Sequence, residues 1–429
     1  MKKINVGLIG CGTVGTGVAK VLLEKRDWLS KTTGVDFVLT KIAEKDQKRK
    51  RPVRIPRNLW TDDAYDLINT PDIDIVIELV GGTTIAKDFI SAALQKKKHV
   101  VTANKALLAD HGQKLMSLAT TNRVQLEFEA SVAGGIPIIN AMRSGLIANK
   151  IQSIFGILNG TTNYILSKMT SEGLDYATVL KEAQELGFAE ADPYLDISGH
   201  DAAHKIAILS FLSVHGWVNM KDLYVEGITQ INAQDIKYAS ELGYVIKLLA
   251  IAKFMDKGVD LRVHPTMIPK DNLLASVNGA YNGVLVTGDV VGTTMYYGKG
   301  AGMLPTASAV VSDVIRIGQK LAAGGMVNTP VKSEYGCVPV LPIGDIISQY
   351  YLRCSVIDRP GAFAQISTIL GKHKISIASV IQKNRKAGDA VPVMMMTHEA
   401  KESSMQAAIK EIDRLRVIKD KTFIIRVEK

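Results

Sequence analysis

The sequence predicts an α/β chain in three parts, and three observations predict it. An apolar strand from Lys3 to Ile9 runs straight into Gly10-Cys11-Gly12-Thr13-Val14-Gly15 and then an apolar helix, Val18 to Leu23. That order of strand, glycine turn and helix belongs to a Rossmann dinucleotide-binding domain. Beyond Val124 the strand-helix rhythm breaks at a glycine turn, Gly134-Gly135, where an α+β domain begins. Residues 350–429 then read strand, helix, strand, strand, helix, strand, the βαββαβ order of a ferredoxin-like unit. The boundaries fall at 1–130, 131–302, a linker at 331–349 and 350–429, with 303–330 completing the first domain.

Within the first domain each glycine has a distinct task. Gly10 allows the tight turn, Gly12 lets backbone approach a pyrophosphate, and Gly15 lets helix and strand pack closely, with Thr13 and Val14 opening the helix. The second strand, Phe37 to Ala43, ends at Glu44-Lys45-Asp46, where such folds read the adenosine ribose. An acid there favours NAD and a base favours NADP; the sequence offers both, and Lys45 with the basic run behind it points to NADP, NAD remaining possible. Strands Asp74 to Val80 and His99 to Ala103 close on Gly81-Gly82-Thr83-Thr84 and Asn104-Lys105, which sets Gly81, Thr83 and Lys105 toward the cofactor.

In the middle of the chain, Glu129 and the carbonyls around the glycine turn can hold a hard cation or form a plain loop. Ser153 to Leu158 enters the polar turn Asn159-Gly160-Thr161-Thr162-Asn163, suited to a small ligand. The stretch Leu186 to Leu212 concentrates charge on apolar sequence. Glu190, Asp192 and Asp196 lie on a loop broken by Asp192-Pro193 and Ser198-Gly199, and Asp201 falls four residues before Lys205 on one helix face. A lysine in apolar surroundings supported by acids can donate a proton near neutral pH. His200 and His204 have no partner at metal-ligand spacing and read as structural. Gly300-Ala301-Gly302 leads into an apolar helix that can meet the cofactor or return the chain to the first domain.

Composition excludes other classes. With 429 residues and 47% hydrophobic content the chain can bury a sizeable core. The most apolar run, VIKLLAIAKFM, is cut by Lys247 and Lys253 and falls short of the roughly twenty residues of a membrane span. No membrane association and a cytoplasmic location are expected. Cys11, Cys337 and Cys354 are widely spaced and odd in number, as reduced thiols are. The net charge of +10 is partly concentrated between Lys41 and Arg57 without interleaved aromatics, so no nucleic-acid partner is expected.

The run GFAEADPYLDISGHDAAHKIAIL, with GLIGCGTVGTGV, VTANKALL, GILNGTTNYIL and GKGAGMLPTASAVVSD in order, resembles the homoserine dehydrogenase family over residues 1–330. The C-terminal unit, with Asp358-Arg359-Pro360-Gly361 opening its first helix, resembles an ACT domain. The resemblance implies NAD(P)-dependent interconversion of L-aspartate 4-semialdehyde and L-homoserine on the route to threonine and methionine, with 131–302 a catalytic and dimerisation domain. It makes Lys205 the proton donor, with Lys105 assisting. Glu190 binds the substrate amino group, Asp196 and Asp201 order the substrate and the lysine, and Thr161 and Gly160 add contacts. It also implies a sodium ion on Glu129, Val132, Gly134 and Ile136. Gly302, at its helix start, is counted with the cofactor residues. Phe188 stands where some relatives have tyrosine. A homodimer or homotetramer is expected, paired through the exposed sheet edge of the ACT unit, with L-threonine as the first candidate effector. The rival readings are a dehydrogenase for another amino-acid-derived carbonyl and a non-catalytic sensor of nucleotide and amino acid.

Overall fold

A computed structural model of the 429-residue chain describes residues 1–324, 336–382 and 389–429. Residues 325–330 of the segment read as completing the first domain, and 331–335 of the expected linker, lie outside the described residues. The chain forms two compact units, residues 1–152, 204–220 and 281–338 in one and 153–203, 221–280 and 339–429 in the other. Among the described residues no helix is long and apolar enough to cross a membrane.

The first unit holds a six-stranded sheet of β1 (Lys2–Ile9), β2 (Val35–Ala43), β3 (Trp60–Thr61), β4 (Ile75–Glu78), β5 (His99–Thr102) and β6 (Leu126–Glu127). The order β3-β2-β1-β4-β5-β6 is parallel throughout. Strand order reverses between β1 and β4, so a crevice opens beyond their carboxyl ends. Both faces are covered, and the strands are accordingly apolar along their length: Ile4, Val6, Leu8, Ile75, Val76 and Ile77 are buried. The helix Met303–Ala322 joins this core through Ala307, Val310, Val314 and Ile317. Its approach is close. A Cβ on Gly17 would press on the Met303 carbonyl, and one on Gly318 would collide with the Phe37 ring.

The second unit is built on a mixed sheet whose strands run Ile151–Ile157, Tyr244–Met255, Gly258–Pro269, Phe423–Val427, Ile347–Ile357, Ala390–Thr397 and Ile377–Ile381 in space. The last four, with helices Ala362–Lys372 and Glu402–Ile412, are the βαββαβ unit, whose own core includes Leu352, Ile366, Met395 and Ile409. Its edge strand Phe423–Val427 is not exposed. It pairs in parallel with Gly258–Pro269, Thr266 opposite Arg426 and Met267 opposite Val427. Of the unit's two edge strands, Ile377–Ile381 is the one that ends the sheet order among the described residues, and it is the edge left for the expected pairing between subunits. The described end of the linker is also tied down, with Val259 N–H donating to Pro339 and Leu341 N–H to Val259.

Candidate active site

The three fingerprint glycines occupy three different environments. Gly10 has φ +90°, and a Cβ there would press on the Leu79 backbone; a Cβ on Gly15 would collide with the Gly10 carbonyl. Around Gly12 there is open space. A turn, an open approach and a close packing contact are what a pyrophosphate over the start of helix Thr13–Glu24 requires. The same crevice continues into a cleft of about 290 Å³ lined by Val14, Glu78, Gly81, Gly82, Asn104 and Lys105 among others. Gly81 and Gly82 both have positive φ and nothing near their missing Cβ. Thr83 is half-buried and does not line the cleft.

Two polar residues outside the expected set shape this cleft. Glu78 is fully buried at the end of β4, where its carboxylate accepts the N–H groups of Val80 (2.8 Å) and Gly81 (3.2 Å) and the Thr102 hydroxyl (2.7 Å). Asn104 caps the helix Lys105–Thr121 through Leu107 N–H and donates to Gly82 O at 2.7 Å. Both hold the β4 and β5 ends in the shape that presents Gly81 and Lys105.

At the ribose end, Glu44 accepts N–H groups of Cys11 (2.7 Å) and Asp46 (3.0 Å), tying the second strand to the glycine turn. Arg51 lies over the Trp60 ring at 4.9 Å and donates to the carbonyls of Cys11 (3.0 Å), Asp46 (2.7 Å) and Arg49 (2.9 Å). Its fork is engaged by backbone, whereas Lys45 is exposed. Arg51 was hidden inside a basic run whose members look alike in sequence.

The second unit gathers the acidic residues of the polar turn. Asn159, nearly buried, donates its amide to Asp196 (2.7 Å) and Asp201 (2.8 Å), while its oxygen caps Thr162 N–H at 2.8 Å. Thr161 donates to Asp196 at 3.0 Å and Phe188 O at 2.6 Å. Asn159 is the member that sequence reasoning missed as a site residue, although its place before a helix start marks a cap. Gly160 is there for packing: a Cβ would lie 2.9 Å from the Ala280 carbonyl. Below the turn, buried Lys247 donates to Asn163 and Asn278 at 3.1 Å each, and burial draws its pKa down to about 8. Glu190 is exposed on the loop that follows Gly187 (φ +75°).

Helix His200–Val214 carries Asp201 in its first turn and Lys205 in its second; Asp201 is buried and Lys205 half-buried. Glu129 is almost fully buried, and its carboxylate accepts Ile139 N–H (2.9 Å) and Asn140 N–H (2.7 Å), while burial raises its pKa. Each carboxylate oxygen thus accepts one backbone N–H. Val132 and Ile136 are buried, and Gly134 has φ +47° and packs on the Gly300 carbonyl beside Gly302, which caps the long helix at φ +129°. No group of three or more His, Cys, Asp or Glu among the described residues is placed to hold a metal.

A glycine cradle at the switch point of a parallel sheet, a hydrogen-bonded acid cluster and a lysine on the helix that carries one of those acids define an NAD(P)-dependent oxidoreductase. Family models agree with both halves: homoserine dehydrogenase NAD binding domain over residues 10–129, homoserine dehydrogenase over 137–315, and ACT domain over 350–417. The chain is 44% identical over 432 residues to a homoserine dehydrogenase of Neisseria gonorrhoeae, covering 100% of this chain and 99% of the relative. The homoserine dehydrogenase structure from Thiobacillus denitrificans superposes with a TM-score of 0.93 at 42% identity, covering 100% of this chain and 99% of that one. A hyperthermophilic archaeal homoserine dehydrogenase solved in complex with NADPH matches 73% of this chain and 97% of its own, with a TM-score of 0.63 at 27% identity. The chain belongs to the homoserine dehydrogenase family, and its activity is the reversible NAD(P)-dependent reduction of L-aspartate 4-semialdehyde to L-homoserine.

Proposed function

We propose that Lys205 is the proton donor of this reaction and that the Asn159-centred cluster orients the substrate. The observation that carries the reading is the way Asn159 gathers Asp196 and Asp201 with an uncharged amide. Each carboxylate accepts one amide N–H from Asn159 and keeps acceptor capacity for a cationic amine. Glu190 takes the substrate amino group and Thr161 adds a polar contact. Bound over Gly12, the nicotinamide nucleotide supplies or accepts the hydride. The oxygen left on the substrate needs a proton within the site, which Lys205 provides, with Lys105 assisting at the cleft. A sodium ion would rest on Glu129 and the carbonyls of Val132, Gly134 and Ile136, and no step needs it.

For the cofactor, the archaeal NADPH complex and exposed Lys45 favour NADP. Lys45→Ala is expected to raise the KM for NADPH and leave that for NADH nearly unchanged, because the charge-assisted contact exists with the 2′-phosphate alone. Assembly as a homodimer or homotetramer, with 131–302 as the pairing domain, and an L-threonine response through the helix start after Gly361 complete the reading. That start has no side-chain cap. Lys205→Met is the central test. Turnover should fall about 10²–10⁴-fold while cofactor binding, followed by nucleotide fluorescence, stays intact. A variant that keeps more than about a tenth of the rate removes Lys205 from the role.

A further inference from the structure

The last strand of the C-terminal domain sends an arginine into the catalytic part of its own unit. Arg426 is 1% exposed. It donates to both oxygens of buried Glu402 (2.6 and 2.9 Å), to Glu226 at 2.9 Å and to the Tyr224 hydroxyl at 3.1 Å, lying over the Tyr224 ring. Glu226 also accepts a hydrogen bond from the Tyr224 hydroxyl, at 2.8 Å. Residues 224–228 are therefore pinned from one side by Arg426.

From the other side the same segment carries the acid-bearing turn. Ile228 N–H donates to the Ile197 carbonyl at 2.9 Å, and a Cβ on Gly227 would collide with that carbonyl. Gly199, at φ +88°, sits so close that a Cβ would lie 3.1 Å from Val225 and 3.4 Å from the Glu226 carbonyl. Ile197 directly follows Asp196, whose two oxygens are held by Asn159 and Thr161.

We propose that Arg426 is a positioning residue for the dehydrogenase reaction, fixing Glu226 and through it the seat of the turn that presents Asp196. This rests on the reading that Asp196 orders the substrate. Backbone contact on both sides of Ile197 leaves the turn no slack, so a shift of the 224–228 segment moves Asp196 with it. Arg426 acts through Glu226, so its effect belongs in substrate affinity and not in the cofactor site.

The test uses the full chain with Glu226→Gln and Arg426→Lys, since a single ammonium cannot serve Glu226 and Glu402 as a fork does. Asp196→Asn is the reference. Each positioning variant should raise the KM for homoserine about three- to tenfold with the KM for NADP changed less than about twofold, and the double variant should be less than additive. Equal shifts in both KM values, following a loss of thermal stability, would mean a general structural role and overturn the proposal. If Asp196→Asn raises the homoserine KM and the positioning variants do not, the proposal alone fails. If Asp196→Asn itself leaves that KM unmoved, the reading of Asp196 falls and the proposal falls with it.

Discussion

The two sheets of this chain bury opposite chemistries. In the first, strands β1, β4 and β5 bury Val6, Leu8, Ile75, Ile77, Val100 and Val101, and the fully buried carboxylate Glu78 waits at a strand end beside the cleft. In the second, strand Gly258–Pro269 is buried almost throughout and alternates Val259, Leu261, Val263 and Met267 on one face with Asp260, Arg262, His264 and Thr266 on the other. That polar face is paired partly within the strand, Arg262 with Asp260 and His264, and partly with the C-terminal domain. Glu428 pairs with Arg262 at 2.6 Å and Lys253 at 2.9 Å, and Arg426 pairs with Glu402. Helices covering both faces let a parallel sheet be uniformly apolar and leave its chemistry to the strand ends. A sheet completed by a second domain can bury ions because that domain brings the countercharges.

The largest expected effect follows from that difference. A chain truncated after Ser348 loses the strand Phe423–Val427 and Glu428, leaving the charges of Gly258–Pro269 uncovered. It should fail to accumulate as folded protein, which solubility and circular dichroism would show. An active, folded product would mean that the C-terminal domain is an appendage and not part of the sheet. Within the network, Glu428→Ala should cost about 1–3 kcal/mol in urea unfolding, since it removes one of the two carboxylates on buried Arg262 and leaves Asp260 to hold the other side. Replacing Asp260, Arg262 and Glu428 together with apolar residues of similar size should cost far less, because buried pairs as wholes are near neutral. For comparison, Ile77→Ala in the first sheet should cost about 2–5 kcal/mol, and no second substitution nearby should relieve it.

The same contrast decides what could be read in advance. The glycine turn was legible because each glycine answers a local backbone demand, and the βαββαβ order was legible because its periodicity is local. The run Asp260-Leu261-Arg262-Val263-His264 is indistinguishable in sequence from a strand with one wet face, since what dries it lies some 160 residues away in Arg426 and Glu428. Arg51 looked like any member of a basic loop, and Asn159 like an ordinary cap. Each takes its role from partners brought by folding. The acids Asp196 and Asp201 stood out because carboxylates near a lysine signal chemistry, but the amide that joins them carried no such signal.

A finer test separates the sheets by two buried histidines. His99, on β5, accepts Gln125 N–H through Nδ1 at 3.0 Å, and burial lowers its pKa to about 4. His264 is pushed well below the usual range by burial, then by Arg426 and Arg262; its Nε2 sits 2.7 Å from the Arg262 guanidinium, which donates to it. Each is neutral when folded and takes a proton near pH 6.5 when unfolded, so the unfolded state binds more protons below that pH. Stability from either group is present above about pH 6.5 and lost as the pH falls toward the folded value. Other acids titrate over the same range, so the measure is the stability difference between the wild type and His99→Asn or His264→Asn at successive pH values. The difference for His99 should shrink by roughly 1.4 kcal/mol per pH unit below about pH 6 and level off near its folded pKa. For His264 the decline should continue to lower pH, because two guanidinium groups oppose its protonation where His99 faces burial as the main obstacle. Matching plateaus would show that the charges around His264 do not act on it, and would remove the electrostatic distinction between the two sheets.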